Sequence, residues 1–185
     1  MVENKLFWKN KRVLVTGHTG FKGSWLSLSL QKLGANLVGL SLDPPTNPNL
    51  FSVARVSSDM IDLRCDIREN SSVKDIFKEY QPEIIFHMAA QPLVRYSYIN
   101  PVETYETNFM GTLNILEAIR EIGTVKSAVM ITTDKCYENK ERLEGYKEDE
   151  PMGGFDPYSS SKGAAELLIS SYRNSYFPLK NFSDH

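Results

Sequence analysis

Apolar and polar positions alternate along the chain in two kinds of block, short apolar runs of strand length and longer stretches with apolar residues at helical spacing. The run Val13-Leu14-Val15 passes through Thr16-Gly17-His18-Thr19-Gly20-Phe21-Lys22-Gly23 into Trp25-Leu26-Ser27-Leu28-Ser29-Leu30. This predicts a strand, a glycine turn and a helix ending near Gly34. A second strand covers 36–42 and closes at Asp43-Pro44-Pro45, because proline cannot extend a ladder. Residues 46–59 show no period and are expected to form a loop. A third strand covers 60–65, followed by a helix over 71–80 with Ser71 as its cap and Val73, Ile76 and Phe77 inward. Ile84-Ile85-Phe86-His87-Met88 has the unbroken apolar character of a strand buried on both faces. A long helix over 101–121 presents Val102, Tyr105, Phe109, Leu113, Leu116 and Ile119 on one side. A fifth strand at 127–133, a polar loop at 134–156 and a helix over 157–176 follow, and the tail to residue 185 contains no strand to partner that helix.

Repeated β-then-α units predict an α/β fold, a doubly wound parallel sheet with helices on both faces and right-handed crossovers. The series stops after five strands, so residues 1–185 are expected to be one incomplete domain. In such sheets ligands sit beyond the carboxyl ends of the strands. Those ends carry Gly17, Asp43, Asp66, Ala89-Ala90 and Thr133.

Composition narrows the classes. A formal net charge of −2 with interleaved charges provides no basic stripe, so nucleic acid and anionic membrane are not expected as partners. Two cysteines, Cys65 and Cys136, fit a reducing compartment, and no apolar run has the length of a signal peptide or a membrane span. The expected location is cytoplasmic. No cluster of cysteine and histidine has metal-ligand spacing, so no metal is expected. His87 reads as a core histidine in its strand, and His185 is terminal.

Gly17, Gly20 and Gly23 let backbone pass close to a phosphate, and the free N–H groups at the start of the following helix carry partial positive charge. His18, Thr19, Phe21 and Lys22 lie within the same turn, where His18 and Lys22 could reach a pyrophosphate. Asp43 stands twenty residues after Gly23, where a carboxylate accepts the adenosine ribose hydroxyls and repels a 2′-phosphate, favouring NAD over NADP. The flanking sequence holds no arginine to receive such a phosphate, and the plainer alternative is a turn aspartate before two prolines. Asp66 and Ile67 could bind adenine, with the N-cap region of the next helix as the alternative.

Tyr158 and Lys162, four apart at the start of the last helix, share one face. A cationic amine beside a phenol lowers its pKa, so Tyr158 can take a proton from a hydroxyl near neutral pH; an ordinary solvated helix face is the competing reading. The strand before ends in Thr132-Thr133, and a hydroxyl there could orient the reacting group. Asp134-Lys135 reads either as an ion pair opening a loop or as an acid and base beside a substrate, the second requiring opposite pKa shifts.

Taken together, the glycine turn, Asp66-Ile67-Arg68, His87-Met88-Ala89-Ala90-Gln91, Asn108-Phe109-Met110-Gly111-Thr112 and Tyr158-Ser159-Ser160-Ser161-Lys162 resemble the extended short-chain dehydrogenases/reductases, and within them the nucleotide-sugar 4,6-dehydratases. Those enzymes usually carry Thr-Asp-Glu after the fifth strand, where this chain has Thr133-Asp134-Lys135. With Gln91-Pro92-Leu93-Val94-Arg95-Tyr96 and Ser41-Leu42-Asp43-Pro44-Pro45, that lysine is similar to the members acting on CDP-glucose. The resemblance implies a Rossmann-type fold, with NAD as the cofactor. It places Ala89, Ala90, Gln91, Asn108 and Thr132 beside the cofactor, and Leu93, Val94, Arg95 and Thr133 beside a nucleotide-sugar substrate. It implies Thr133, Asp134, Lys135, Tyr158 and Lys162 as the catalytic set, a homo-oligomer, a role in deoxysugar biosynthesis for surface polysaccharide, and a later half that binds the nucleotide. An epimerase or reductase of the same superfamily, or a non-catalytic NAD-binding fragment, are the alternatives; an epimerase leaves Asp134-Lys135 without a task.

Overall fold

The computed structural model describes residues 4–177, so the predicted tail beyond residue 177 lies outside the described residues. The chain divides into two compact units, Met1–Ala89 with Glu117–Ile131, and Ala90–Leu116 with Thr132–His185.

The first unit holds a short helix, α1 (Asn4–Trp8), ahead of five parallel strands: β1 (Arg12–Thr16), β2 (Asn36–Ser41), β3 (Ile61–Arg64), β4 (Ile84–His87) and β5 (Ser127–Met130), in the order β3-β2-β1-β4-β5. The path runs outward from β1 on one side and returns to the other through β4, which makes the β1–β4 border the point where strand order reverses. Right-handed crossovers then put α2 (Phe21–Lys32) on one face, and α4 (Asn70–Tyr80) with the end of α7 (Thr112–Ile122) on the other. A Lys74–Glu121 ion pair of 2.8 Å ties α4 to α7. Alternation along β1 sorts the core. Val13 and Val15 pack with Leu30, Ala35, Leu37 and Ile84 on the α2 side, and Val73 and Phe77 of α4 are fully buried.

Two expectations change here. The loop expected over 46–59 contains a short helix, α3 (Leu50–Val53), capped by Asn49, and a 3₁₀ turn, Val56–Asp59. These buried only Phe51 and Val56, too little apolar periodicity to read in advance. Ser71 is not the cap of α4, which begins one residue earlier at Asn70 with Glu69 in the cap position and no side-chain cap bond.

The second unit holds α5 (Val94–Ile99), α6 (Pro101–Tyr105), a π-helical stretch Glu106–Gly111, the start of α7, a 3₁₀ turn Asp134–Cys136 and α8 (Pro157–Ser175). The predicted long helix is therefore interrupted. Beyond the π stretch the predicted stripe is right, with Leu116 and Ile119 buried. Before it Val102 and Tyr105 are exposed and Thr104 is buried instead, and within it Asn108 is buried. A wide turn adds a residue to the helix and rotates one half of the stripe against the other, which a uniform 3.6-residue period cannot anticipate. The helix α8 packs against α5, α6, the π stretch and the 3₁₀ turn. Its N-terminus is capped by Asp156, whose carboxylate accepts from the Ser159 N–H at 2.9 Å.

Candidate functional site

In the first unit the turn leaves β1 at Gly17, whose φ of +75° favours glycine and whose N–H continues the ladder to the Leu40 carbonyl at 2.8 Å. Thr16, at the end of β1, holds the neighbouring strand end: its hydroxyl accepts from the Met88 and Ala89 N–H groups at 3.0 and 3.1 Å and bonds Nδ1 of the buried His87 at 2.8 Å. Backbone therefore crowds the turn. A Cβ on Gly17 would lie 2.8 Å from the Ala89 nitrogen, and one on Gly23 would lie 2.1 Å from the Gly17 oxygen. Gly20 differs, because its nearest protein contact would be an ordinary 3.4 Å to that same oxygen. Packing demands Gly17 and Gly23. Gly20 is needed only if something outside the protein approaches, and it stands at the N-cap of α2, which has no side-chain cap and no acidic residue in its first turn. That is the arrangement an anionic phosphate fits.

Two side chains of the turn do not point outward as expected. The His18 ring is fully buried, bonds Asp62 through Nε2 at 2.7 Å and packs edge-on to Phe51 at 5.4 Å. Burial holds it below the usual histidine range, against the opposing pull of Asp62. Its reach to a pyrophosphate is corrected accordingly. Thr19 is buried too, bonding the Ser41 hydroxyl at 2.8 Å and donating to the Leu42 carbonyl at 3.0 Å, so it fastens the turn to the end of β2. Phe21 and Lys22 are exposed.

Asp43 is highly exposed, as a ribose acceptor must be, but it is not free of arginine: Arg64 Nε donates to its Oδ1 at 2.8 Å. No arginine flanks Asp43 along the chain, but β3 beside β2 brings Arg64 to it across twenty-one positions. Arg64 also binds Asp62 and lies over the Phe51 ring at 5.3 Å. Asp66 accepts from the Arg68 N–H at 2.9 Å and from its guanidinium, which holds the Asp66 carboxyl below its ordinary range. Ile67 beside it is buried, and Ala89 is half-buried.

In the second unit Tyr158 and Lys162 are both buried on the first turns of α8. The Tyr158 N–H donates to the Ser97 hydroxyl at 3.1 Å. Burial brings the Lys162 ammonium down to about 8, with Glu166 one turn further pulling it back up. The Thr132 hydroxyl donates to the Glu166 carboxylate, so its expected contact with a cofactor is replaced by a link inside α8's own surroundings. The Thr133 hydroxyl caps the turn Asp134–Cys136, accepting from the Lys135 N–H at 3.3 Å and donating to Asp134 at 3.1 Å. Asp134 and Lys135 are exposed and loosely paired at 3.7 Å. They line a cleft of about 290 Å³ with Tyr137, Tyr146 and Phe155.

Gln91 and Asn108 were expected beside the cofactor, and their side chains serve as braces. The Asn108 Oδ1 accepts from the Gln91 N–H at 2.8 Å, and its Nδ2 donates to the Gln91 carbonyl at 3.1 Å and to the Ser161 hydroxyl at 2.9 Å. Ser161 in turn donates to the Tyr158 carbonyl at 2.7 Å. The π stretch aims Asn108 inward and so steadies the turn that carries Tyr158 and Lys162. Ala90 is half-buried; Leu93, Val94 and Arg95, the residues expected at a substrate, form the first turn of α5 and its cap, with Leu93 and Arg95 exposed. Sequence reasoning missed Asp62, Arg64, Ser97, Ser161 and Glu166. The signals present were the opposite charges two apart on β3 and the acid four after Lys162. Among the described residues no group of three or more metal-ligating side chains occurs, and no helix is long and apolar enough to cross a membrane.

A glycine turn between a parallel strand and an uncapped helix, on a sheet ordered 3-2-1-4-5, defines a dinucleotide-binding α/β protein. The chain belongs to the GDP-mannose 4,6 dehydratase family, whose model matches residues 14–179. It is 54% identical to the CDP-glucose 4,6-dehydratase of Salmonella typhimurium over 98% of its own length and 51% of that protein. It is 33% identical to a solved UDP-glucose 4-epimerase of Thermus thermophilus in complex with NAD, with a TM-score of 0.77 over 89% of this chain and 51% of that one. An epimerase structure from Methanothermobacter thermautotrophicus matches at a TM-score of 0.82 and 26% identity, over 94% of this chain and 51% of that one. The chain spans about half the length of the curated relatives it matches.

Proposed function

We propose that this chain is the NAD-binding half of a hydro-lyase that converts CDP-glucose to CDP-4-keto-6-deoxyglucose. The observation that carries the reaction type is the turn Asp134–Cys136, which presents Asp134 and Lys135 at an open cleft in addition to a buried Tyr158–Lys162 pair. Redox at one carbon needs only the tyrosine and lysine. A second acid–base pair has work to do when a proton must also leave a carbon and water must depart. The nucleotide rests on the 54% identity to a CDP-glucose enzyme.

Gly17, Gly20 and Gly23 with the start of α2 would hold the NAD pyrophosphate, and Asp43 the adenosine ribose. When bound, NAD supplies a hydride acceptor for sugar C4 and a donor for C6, with no net oxidation. Tyr158 takes the proton of the C4 hydroxyl, and Lys162 stabilises the phenolate that makes this possible. Thr133 holds the same oxygen. Once C4 is a ketone, the C5 hydrogen is acidic, and Lys135 removes it. Asp134 protonates the departing C6 hydroxyl, and Lys135 returns its proton to C5 to complete the product.

The test is a single turnover of the full-length enzyme with CDP-glucose. Lys135→Met should let NADH absorbance accumulate, because oxidation proceeds and elimination stalls, while Tyr158→Phe should give no NADH. If Lys135→Met gives none either, lysine does not act in elimination.

A further inference from the structure

The ribose end of the proposed cofactor site holds a group that the NAD reading does not use, Arg64. Its guanidinium is gripped on three sides. Asp62 takes its two terminal nitrogens, the Phe51 ring lies against it at 5.3 Å, and Nε donates to Asp43 at 2.8 Å. Asp62 is itself anchored by the fully buried His18 at 2.7 Å, so the arginine plane is fixed from the glycine turn outward. The Asp43 carboxylate is the exposed member, and only its Oδ1 is engaged by Arg64, which leaves Oδ2 to accept from a ribose hydroxyl.

Resting on the dinucleotide reading, we propose that Arg64 is a masked receptor for a ribose 2′-phosphate, and that the Asp43–Arg64–Asp62 triplet is the element by which this protein selects between the two nicotinamide dinucleotides. Two carboxylates against one guanidinium leave the triplet at −1, and a phosphate dianion brought to Asp43 meets like charge while the Nε edge is already occupied. Arginine otherwise suits phosphate well, because its planar fork offers parallel donors. Loss of Asp43 would therefore uncover a donor edge already oriented by Phe51 and Asp62, and no new cation would have to be introduced. The same clamp positions Asp43 for NAD, so Arg64 serves the native cofactor by holding the carboxylate and opposes the other by being spent on it.

The experiment is a binding titration by calorimetry on the full-length protein, with NAD, NADP, and the fragments AMP and adenosine 2′,5′-bisphosphate as ligands. Wild type should prefer NAD, and AMP over the bisphosphate. Asp43→Ser and Asp43→Asn, at an exposed position where folding is not at stake, should each tighten NADP and the bisphosphate by about tenfold to a hundredfold, the worth of a charge-assisted hydrogen bond. Adding Arg64→Gln to Asp43→Ser should erase that gain, and Arg64→Gln alone should weaken NAD without helping NADP. A gain that survives in the double variant, or no gain in either Asp43 variant of a protein that still binds NAD in the wild type, overturns the assignment of Arg64. Wild-type protein that binds neither dinucleotide overturns the cofactor reading as well.

Discussion

Lys162 shows what a buried ammonium costs where it stands. Burial brings its ammonium to about 8 from the 10.5 of a free lysine, a difference worth about 3 kcal/mol. Between those two values the unfolded chain binds the proton more readily than the folded one, so stability rises with pH there. Below pH 8 the full cost is present. Lys162→Met should therefore raise the unfolding free energy of the cofactor-free protein at pH 7, by up to about 3 kcal/mol, with the advantage fading towards pH 10.5. Chemical denaturation at the two pH values checks it, and an equal advantage at both would mean that the charge of Lys162 is not what burial penalises. The same variant should lose NADH formation, since Tyr158 then has no cation to support its phenolate. His18 teaches the converse lesson: a polar residue in a ligand-binding turn can be structural, and its partner Asp62 decides that.

At the level of elements, the glycine turn and the π stretch are the two pieces that position the residues of the proposed function. Gly23→Ala places a methyl 2.1 Å from the Gly17 oxygen, an overpacking of backbone that should cost about 3 kcal/mol. Gly20→Ala meets only a 3.4 Å contact, so its melting temperature should stay near wild type while NAD affinity falls. Thermal melts beside NAD titrations separate the two, and a Gly20→Ala variant with unchanged affinity would remove Gly20 from the cofactor site. In the π stretch, Asn108→Ala deletes three buried hydrogen bonds and orphans the Gln91 N–H. The expected loss is about 3 kcal/mol, read as a lower urea midpoint, with kcat falling because the Tyr158 turn loses its brace. Neither the cap of α4 nor the interruption of the long helix was legible beforehand. Both depend on backbone placement of one residue, below the resolution of any periodicity.

For the molecule as a whole, the proposed reaction needs a nucleotide-sugar platform, and the chain spans about half of the relatives that act on such substrates by name. The 185-residue chain should bind NAD yet release no 4-keto product from CDP-glucose, while a protein of the relatives' full length should do so without net accumulation of NADH. Product from the shorter chain would show that the residues gripping CDP are already within it. The glycine turn, the five strands and the tyrosine–lysine pair were all legible in one dimension, because each rests on local chemistry: strand-length apolar runs, glycine where backbone must pass, and side chains four apart on a helix.

What the sequence determined by itself is thus the α/β order, the family and the residue types of the chemistry, since hydrophobic period and motif spacing are properties of neighbouring positions. What only the tertiary structure decided is which of those side chains are available. His18, Thr19, Gln91, Asn108 and Thr132 are occupied by partners 17 to 53 positions away, and Asp43 meets Arg64 because β3 lies beside β2. Hydrogen bonds and charges act across space, and a parallel sheet brings together residues that the chain keeps apart.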